Sequence, residues 1–283
     1  MRFVLMEVSG LAQAIMTLKM SKRNWSMDIH EHIMSLVDDC TDKHGFILDN
    51  PDPDKYNELI ENLNKVAKYG AGYDQSAMYD EGHDTLLRFI DLTFVTIGLH
   101  RGAQDDLDAH AKRFDSRIVR ESTRLATFAT GERSEWYQDK IRSVGDIADM
   151  AGIEIPDRYQ DESGVTWVKT HCGYVREDLQ DDKDALRGNY PLSIPSNAIW
   201  KINLYDARHV YMRRNMLTHA NPELKSGIEM LADQVQERIP GDLGKVMKYQ
   251  YALKVNPDGS FPKKGEEEYV LTNPCNIRKV YVP

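Results

Sequence analysis

Arginine side chains are concentrated in one stretch of this sequence, residues 112–124. If the stretch is helical, four guanidinium groups share one stripe, and like charges at that spacing repel one another. Either a bound anion such as phosphate or a set of neighbouring carboxylates would stabilise them. The sequence leaves both interpretations open. The arginines are Arg113, Arg117, Arg120 and Arg124, and the carboxylates just upstream are Asp105, Asp106 and Asp108.

A second basic group lies within residues 207–224 (ARHVYMRRNMLTHANPEL). Taken alone, such a group is typical of a solvated helix face. Its members are Arg208, His209, Arg213, Arg214 and His219.

Several common catalytic motifs are absent from the sequence. It has no P-loop, no G-x-G-x-x-G, no G-x-S-x-G and no H-E-x-x-H, which removes the most readable nucleotide, hydrolase and zinc-peptidase signals. The cysteines at 40, 172 and 275 are far apart and odd in number, so we expect neither a disulfide framework nor a cysteine zinc site. His30 and His32 would point in different directions from a helix, and we therefore predict surface histidines and no metal.

Composition predicts a folded, soluble chain. Of 283 residues, 41% are hydrophobic and 29% are charged, as in ordinary globular proteins. The net charge of -9 disfavours nonspecific binding to nucleic acid or anionic membrane. The start of the sequence has no clear cleavage site and no apolar run is long enough to cross a bilayer, so the predicted location is cytoplasmic.

Hydrophobic periodicity indicates the elements that would position these residues. We predict a strand over residues 2–8, a helix over MDIHEHIMSLVDD and a capped helix from Pro53 to Gly70. Further predictions are a buried apolar stretch over residues 82–98, an amphipathic helix from Asn221 to Pro240, and two short strands, YQYALKV and EYVLT. No repeat or linker is present, so we predict a single α+β domain over residues 1–283.

A family resemblance emerges in the C-terminal half. The pattern R-x3-P-L-x7-W-x2-N-x5-H-x4-R is followed by Ala220-Asn221-Pro222-Glu223-Leu224-Lys225. Both segments resemble the flavin-dependent thymidylate synthases, the ThyX family. The matched positions are Arg187, Pro191, Leu192, Trp200, Asn203, His209 and Arg214.

The N-terminal half carries weaker similarity to the same family. Gly82-His83-Asp84-Thr85 is similar to its G-H-x-S/T segment, and Ser122-Thr123-Arg124 resembles its closing S-x-R. Ser21 is similar to the serine of an early A-R-x-S element. The region of about residues 38–80 is unmatched and is interpreted as an insertion, and the tail after about residue 245 is also unmatched.

The resemblance implies a fold, an activity and partners. It implies an antiparallel sheet packed with helices, and a homotetramer with shared active sites. The implied reaction converts dUMP to dTMP with methylenetetrahydrofolate as carbon donor and FAD, reduced by NADPH, as hydride source. No enzyme nucleophile is needed for that chemistry.

The resemblance also implies roles for individual residues. Ser122 and Arg214 would serve catalysis at the nucleotide, with Arg124 and Arg187 at its phosphate and Arg214 at the edge of the uracil ring. Flavin would be lined by His83, Thr85, Asn203, His209 and Ser21.

The sequence departs from the family pattern where flavin would bind. The expected R-H-R reads Asp108-Ala109-His110, the glutamate after G-H-x-S/T is Arg88, and the tyrosine after S-x-R is Leu125. We therefore keep two alternatives: an enzyme that modifies C5 of a pyrimidine nucleotide differently, for example by hydroxymethylation, and a non-catalytic nucleotide-binding homologue. A further hypothesis is that the arginines missing from the R-H-R segment are replaced by Arg113, Arg117 or Arg120.

Overall fold

The central element is a four-stranded antiparallel sheet in the order β1-β2-β7-β3, formed by Arg2–Ser9, Asp91–His100, Pro195–Asn203 and Arg117–Arg120. It belongs to a computed structural model that describes residues 1–71, 85–110, 117–120, 144–170, 173–181, 195–215, 221–254, 256–258, 260 and 268–273. Helices and antiparallel sheets occur together in these residues, which confirms the predicted α+β class.

One face of the sheet is buried because side chains alternate along each strand. Phe94 and Trp200 are aligned across β2 and β7, with ring planes 6° apart and centroids 6.1 Å apart. Both are completely buried. The other buried residues of this face are Phe3, Leu5, Val8, Leu92, Thr96, Ala198 and Ile202.

Helix α8 (Pro222–Arg238) packs on this face beside β1. Asn221 caps it by accepting from the backbone N–H groups of Glu223 and Leu224 at 3.0 and 3.3 Å, and proline at the first helical position needs no donor. A Cβ at Gly227 would lie 2.0 Å from the Phe3 ring. Glycine therefore allows the close approach of helix and strand.

Three helices pack together near the start of the chain: α1 (Leu11–Ser21), α2 (Met27–Cys40) and α3 (Pro53–Gly70). Ser26 caps α2 and Asp52 caps α3, as their residue types favour. Leu59, Leu63 and Val66 of α3 are completely buried in the main core. The interpretation of residues 38–80 as an insertion stays a prediction. Helix α3, which lies within these residues, packs into the main core of the protein.

The remaining elements are short helices and two small antiparallel sheets. The helices are α4 (Thr85–Arg88), α5 (Arg101–His110), α6 (Val144–Ala151) and α7 (Leu204–Arg214). One sheet comprises β4 (Arg158–Gln160), β5 (Thr166–Thr170) and β6 (Gly173–Arg176), and the other pairs β8 (Gln250–Leu253) with β9 (Tyr269–Thr272).

Most predicted elements are confirmed, and two regions differ from expectation. The strand at residues 2–8, the helices from Met27, Pro53 and Pro222, and the two tail strands are present. The helical interpretation of residues 112–124 is wrong at Arg117–Arg120, which form β3 because their backbone pairs with β7. Helix α1 was not predicted.

Candidate functional site

The candidate site lies where α5 meets the end of α7, the start of α8 and β3. We call this region the α5 junction; it comprises residues 100–108, Arg120, Arg214, Asn221 and Glu223. It brings Arg214, the last residue of the C-terminal motif, next to the helix that carries aspartate where the family pattern has R-H-R.

Arg214 contributes an incompletely paired guanidinium. Its Nη2 lies 3.3 Å from Oδ1 of Asp106 and 3.5 Å from the Asp106 backbone oxygen. Its side chain is 17% exposed, and within the described part of the chain its buried Nε has no hydrogen-bond partner. An unpaired buried donor costs about 1–3 kcal/mol, which a ligand acceptor would recover.

Arg120 reaches α5 from β3 and is engaged by acidic groups. Nη1 donates to Asp105 at 2.6 Å, and Nη2 donates to Asp108 at 3.2 Å and to the Gln104 backbone oxygen at 3.3 Å. Its guanidinium lies 5.9 Å from the Trp200 ring centroid. For Arg120 and Arg214, pairing with the upstream aspartates is therefore observed. The side chains of Arg113, Arg117 and Arg124 lie outside the described residues.

Gln104 anchors α5 to the central sheet. Its Nε2 lies 2.9 Å from the Leu99 oxygen, and 3.0 and 2.7 Å from the backbone oxygen and Oγ of Ser196. Gln104 is completely buried. These bonds fix the helix at the ends of the strands, so the carboxylates that follow Gln104 at positions 105, 106 and 108 have defined positions.

A buried polar group joins the starts of α5 and α8. His100 Nδ1 accepts from the backbone N–H of Ala103 at 3.1 Å. Nε2 lies 2.9 Å from Asn221 Nδ2 and 3.3 Å from Glu223 Oε2, and Glu223 is completely buried. The sequence analysis did not single out His100, because 123 residues separate it from Glu223 and no local spacing reveals the contact.

Two residues proposed to line flavin lie on or beside α7. Asn203 caps the helix: its Oδ1 accepts from the Asp206 N–H at 2.8 Å and its Nδ2 donates to Asp206 Oδ2 at 3.2 Å. His209 is half-buried in the middle of the helix. Asn203 and Arg214 are about 16 Å apart along the helix axis, so a ligand touching both would extend along α7.

The other two described candidates are exposed. Thr85 begins α4, whose Arg88 guanidinium lies 4.4 Å from the Tyr205 ring centroid. Ser21 ends α1, and its hydroxyl donates to the Leu18 oxygen at 2.8 Å. The remaining candidates His83, Ser122, Arg124 and Arg187 lie outside the described residues.

Arg208 differs from the predicted solvated face. It is half-buried, and it donates from Nε to the Val246 oxygen at 3.0 Å and from Nη2 to Gln250 Oε1 at 2.9 Å. Burial lowers the pKa of Arg208 from its ordinary value. These bonds tie α7 to the start of β8 and to the segment before it.

The stretch of α5 from residue 105 to residue 108 does not fit the diphosphate of FAD. Between positions 105 and 108, three carboxylates meet the two guanidinium groups of Arg120 and Arg214, so this stretch has an excess of negative charge. A diphosphate would be repelled there. Residues that carry positive charge to a flavin would have to come from elsewhere in the chain.

Metal ligation and membrane spanning find no support in the described structure. No cluster of three or more His, Cys, Asp or Glu side chains suited to a metal ion occurs among the described residues. His32 lies on the surface, as predicted, where its Nε2 is 2.7 Å from Oε1 of Glu58. Within the same residues, no helix combines the length and apolar character needed to cross a membrane.

The chain is similar to solved structures but matches no family model and no curated protein. No protein-family model matches the chain, and no curated protein matches it. Among solved structures, two of thymidylate synthase X (ThyX) from Helicobacter pylori, both with FAD and dUMP, match at 13% identity with TM-scores of 0.47 and 0.48, over 88% of this chain and 98% of that chain. Similarity at this level establishes neither family nor function.

Proposed function

We propose that this chain acts on a pyrimidine nucleotide as the flavin-dependent thymidylate synthases do. The proposed reaction converts dUMP to dTMP, with methylenetetrahydrofolate as carbon donor and NADPH-reduced FAD as hydride source. The support is the motif resemblance in the C-terminal half together with the geometry of its last residue, Arg214.

The unpaired Nε of Arg214 is the observation that carries the proposal. A guanidinium presents several donors in one plane and suits two acceptors on a flat ligand. Here the contact with Asp106 is long, at 3.3 Å, and Nε has no partner among the described residues. The edge of a uracil ring offers carbonyl oxygens that would accept from such a group.

Arg214 would then act by electrostatics rather than by covalent chemistry. Addition at C6 of the uracil ring, which activates C5 for substitution, would place negative charge on the conjugated carbonyl oxygen at C4, and a fixed cation would stabilise that charge. Gln104 would hold α5 in place beside the guanidinium. Arg124 and Arg187 are proposed to bind the nucleotide phosphate, and Ser122 to lie at the nucleotide.

The flavin part of the proposal depends on the sequence resemblance. FAD would supply hydride, and His83, Thr85, Asn203, His209 and Ser21 are the residues proposed to line it. Because α5 does not fit a diphosphate, we assign no step to its residues in flavin chemistry.

Calorimetric titration with dUMP tests the nucleotide part. Arg214→Gln is expected to weaken binding at least about tenfold, the equivalent of ~1.4 kcal/mol. Arg213→Gln is the matched control, since it removes the same charge from the neighbouring exposed position and should change affinity less than about twofold. Equal effects of the two variants would reject a specific role for Arg214.

The absorbance spectrum of the purified protein, with and without added FAD, tests the flavin part. Bound flavin would lead to an assay of dTMP formation from dUMP. Product mass after incubation with dUMP or dCMP would identify a different C5 modification, such as hydroxymethylation.

The acidic α5 favours a second candidate function, a nucleotide-binding homologue without flavin chemistry. Asp108 stands at the start of the segment where the family pattern has R-H-R, and Asp105 and Asp106 precede it on the same helix. For this candidate we expect a colourless protein that ignores FAD but still binds dUMP through Arg214.

A further inference from the structure

Positive charge is concentrated at one end of the group formed by α1, α2 and α3. Residues 19–27 (KMSKRNWSM) carry three cations, and no Asp or Glu occurs between Glu7 and Asp28. In a chain with 45 acidic and 36 basic residues, so long a stretch without a carboxylate is a local exception to the negative net charge. The end of α3 adds a further cation. We call these residues the basic patch: Lys19, Lys22, Arg23, Trp25, Lys68 and Tyr69.

A contact between Lys22 and Tyr69 joins the two parts of the basic patch. Lys22 Nζ lies 3.8 Å from the centroid of the Tyr69 ring, which is a cation–π geometry. The interaction with the Lys22 ammonium lowers the pKa of the Tyr69 hydroxyl, and the charges of Lys68 and Lys65 act in the same direction. The connection between α1 and α2 and the end of α3 therefore form one surface with positive potential.

The cations of the basic patch are accessible to a ligand. Lys22, Arg23 and Lys68 are exposed, and within the described part of the chain none of the three forms an ion pair with a carboxylate. Glu61, the last acidic residue of α3, pairs with Lys65 instead. The patch thus has positive charge that the protein itself does not neutralise, and a bound anion would complement it.

Two features of the connection between α1 and α2 are unusual for a solvated turn. Trp25 is 43% exposed, although its indole is a large apolar group. Arg23 has a φ of 55°, a left-handed conformation that costs a non-glycine residue free energy. Backbone strain of this kind clusters at functional positions. A cation and an exposed aromatic ring side by side are the combination that binds single-stranded nucleic acid.

We propose that the basic patch binds single-stranded nucleic acid. Its cations contact phosphates, which position the strand, and the indole of Trp25 stacks on an unpaired base. A single strand presents the faces of its bases, as a duplex does not, so it uses both parts of the surface. The negative charge elsewhere on the chain opposes this weakly, because exposed charges more than about 10 Å apart are largely screened at about 0.1 M salt.

An anionic membrane is the other partner that lysines beside an exposed tryptophan would suit. Binding in the bilayer interface requires a helix whose apolar face is free to enter it. The apolar faces of the two helices that flank the connection are buried in the main core instead. Only isolated apolar side chains are left for a lipid surface, so the observations favour nucleic acid. The buried residues are Leu11, Ile15 and Leu18 of α1, and Ile33 and Leu36 of α2.

The first test is fluorescence anisotropy of a labelled oligothymidylate of about 12 nucleotides, titrated with the full chain at low salt. The wild type is expected to bind. Four cations facing phosphates predict a slope of about −3 for the logarithm of the association constant against that of the salt concentration, hence about a 50-fold loss of affinity between about 50 and 200 mM salt.

Charge reversal tests the location of the site. Lys22→Glu should weaken binding at least about tenfold at low salt. Lys43→Glu is the matched control, because it makes the same change at an exposed position near the start of α1, where the His44 oxygen accepts from the Val8 N–H at 2.9 Å. It should weaken binding less than about threefold. Circular dichroism and thermal melting establish that each variant is folded.

The contribution of stacking is tested with an abasic strand of the same length, which has the phosphates but no bases. Trp25→Ala should weaken binding of the oligothymidylate at least about fivefold and leave binding of the abasic strand unchanged, and Trp25→Phe should restore most of the affinity. Arg23→Gly should also weaken binding. Because it relieves the strain of the left-handed conformation, unfolding would not explain that loss.

Several outcomes would overturn the proposal. These are a wild type that does not bind the oligothymidylate at low salt, equal effects of Lys22→Glu and Lys43→Glu, and an abasic strand that binds as tightly as the oligothymidylate. Phosphatidylserine vesicles or polyglutamate that bind in place of the oligothymidylate would assign the surface to a membrane or to an acidic peptide. Displacement by FAD would assign it to the cofactor, since Ser21 lies in the same segment. No test uses dUMP, so failure here is distinguishable from failure of the proposed function.

Discussion

Trp200 Nε1 donates a hydrogen bond to Oγ1 of Thr96 at 3.0 Å, between β7 and β2, and both residues are completely buried. The indole ring packs on Phe94 within the core and approaches Arg120 of the α5 junction. Trp200 thus connects the hydrophobic core to the candidate site, and its N–H needs an acceptor because water does not reach it.

Thr96→Val should therefore destabilise the protein by about 1–3 kcal/mol, since it leaves the Trp200 N–H without its acceptor. The free energy of unfolding from urea denaturation measures this. Thr93→Val is the matched control: it is the same change on the same strand at a half-buried position, where we expect a change within about 0.5 kcal/mol. Equal effects would show that the hydrogen bond is unimportant.

Asp106→Asn should tighten dUMP binding by about 3–10-fold, because it removes a negative charge that partly neutralises Arg214 and repels a nucleotide phosphate. Calorimetry at low salt measures the affinity. Asp105→Asn serves as control, since that carboxylate pairs with Arg120 instead. Weaker binding by Asp106→Asn would contradict the electrostatic argument and indicate that Asp106 orients the guanidinium.

Arg23→Gly should stabilise the protein by about 0.5–1 kcal/mol. Arg23 has a φ of 55° in the turn that ends α1, and this left-handed conformation costs about 1–2 kcal/mol without glycine, offset in part by the greater chain entropy of glycine. The urea denaturation midpoint measures the change. Lys22→Gly, at a φ of −91°, has no such strain to relieve and should destabilise.

The turn between β4 and β5 should loosen in acid. Hydrogen bonds from the Ser163 hydroxyl and the Trp167 indole to Asp161 lower its pKa from 3.8 to about 2. Because the folded pKa is depressed, the stabilisation is present above about pH 4 and is lost as pH falls through about 2. Two NMR signals recorded as a function of pH measure the transition. The carboxyl carbon of Asp161 reports its protonation, and the indole N–H of Trp167 reports the loss of its hydrogen bond. Asp161→Asn should abolish the pH dependence, and a transition that persists in this variant would assign it to another group.

The sequence predicted correctly the helices that are stabilised by residues at their own ends. Asp52-Pro53 and Asn221-Pro222 are caps followed by proline, and both begin helices as predicted. Helix α1 was missed although its buried Leu11, Ile15 and Leu18 have helical spacing. Its start after Gly10, at a φ of 87°, carries no side-chain cap.

The features that the sequence did not predict depend on contacts between residues that are far apart in the chain. Arg117–Arg120 is a strand because β7, about 80 residues later, supplies its hydrogen-bond partners. The sequence analysis considered this stretch only as a helix. For the arginines of residues 112–124, pairing with aspartates was one of two open interpretations, and the structure shows it for Arg120. The contact of His100 with Glu223 follows only from the fold.

Gln234 of α8 bonds to β1 with its side-chain amide: Oε1 accepts from the Leu5 N–H at 2.8 Å and Nε2 donates to the Phe3 oxygen at 2.9 Å. These groups face away from β2, at the margin of the sheet, and the amide occupies them as the peptide of an additional strand would. The nearby Val8 N–H is likewise bonded to the His44 oxygen at 2.9 Å. A foreign strand therefore cannot add at β1 without displacing these bonds, which protects this margin of the sheet against the edge-to-edge growth that leads to aggregation.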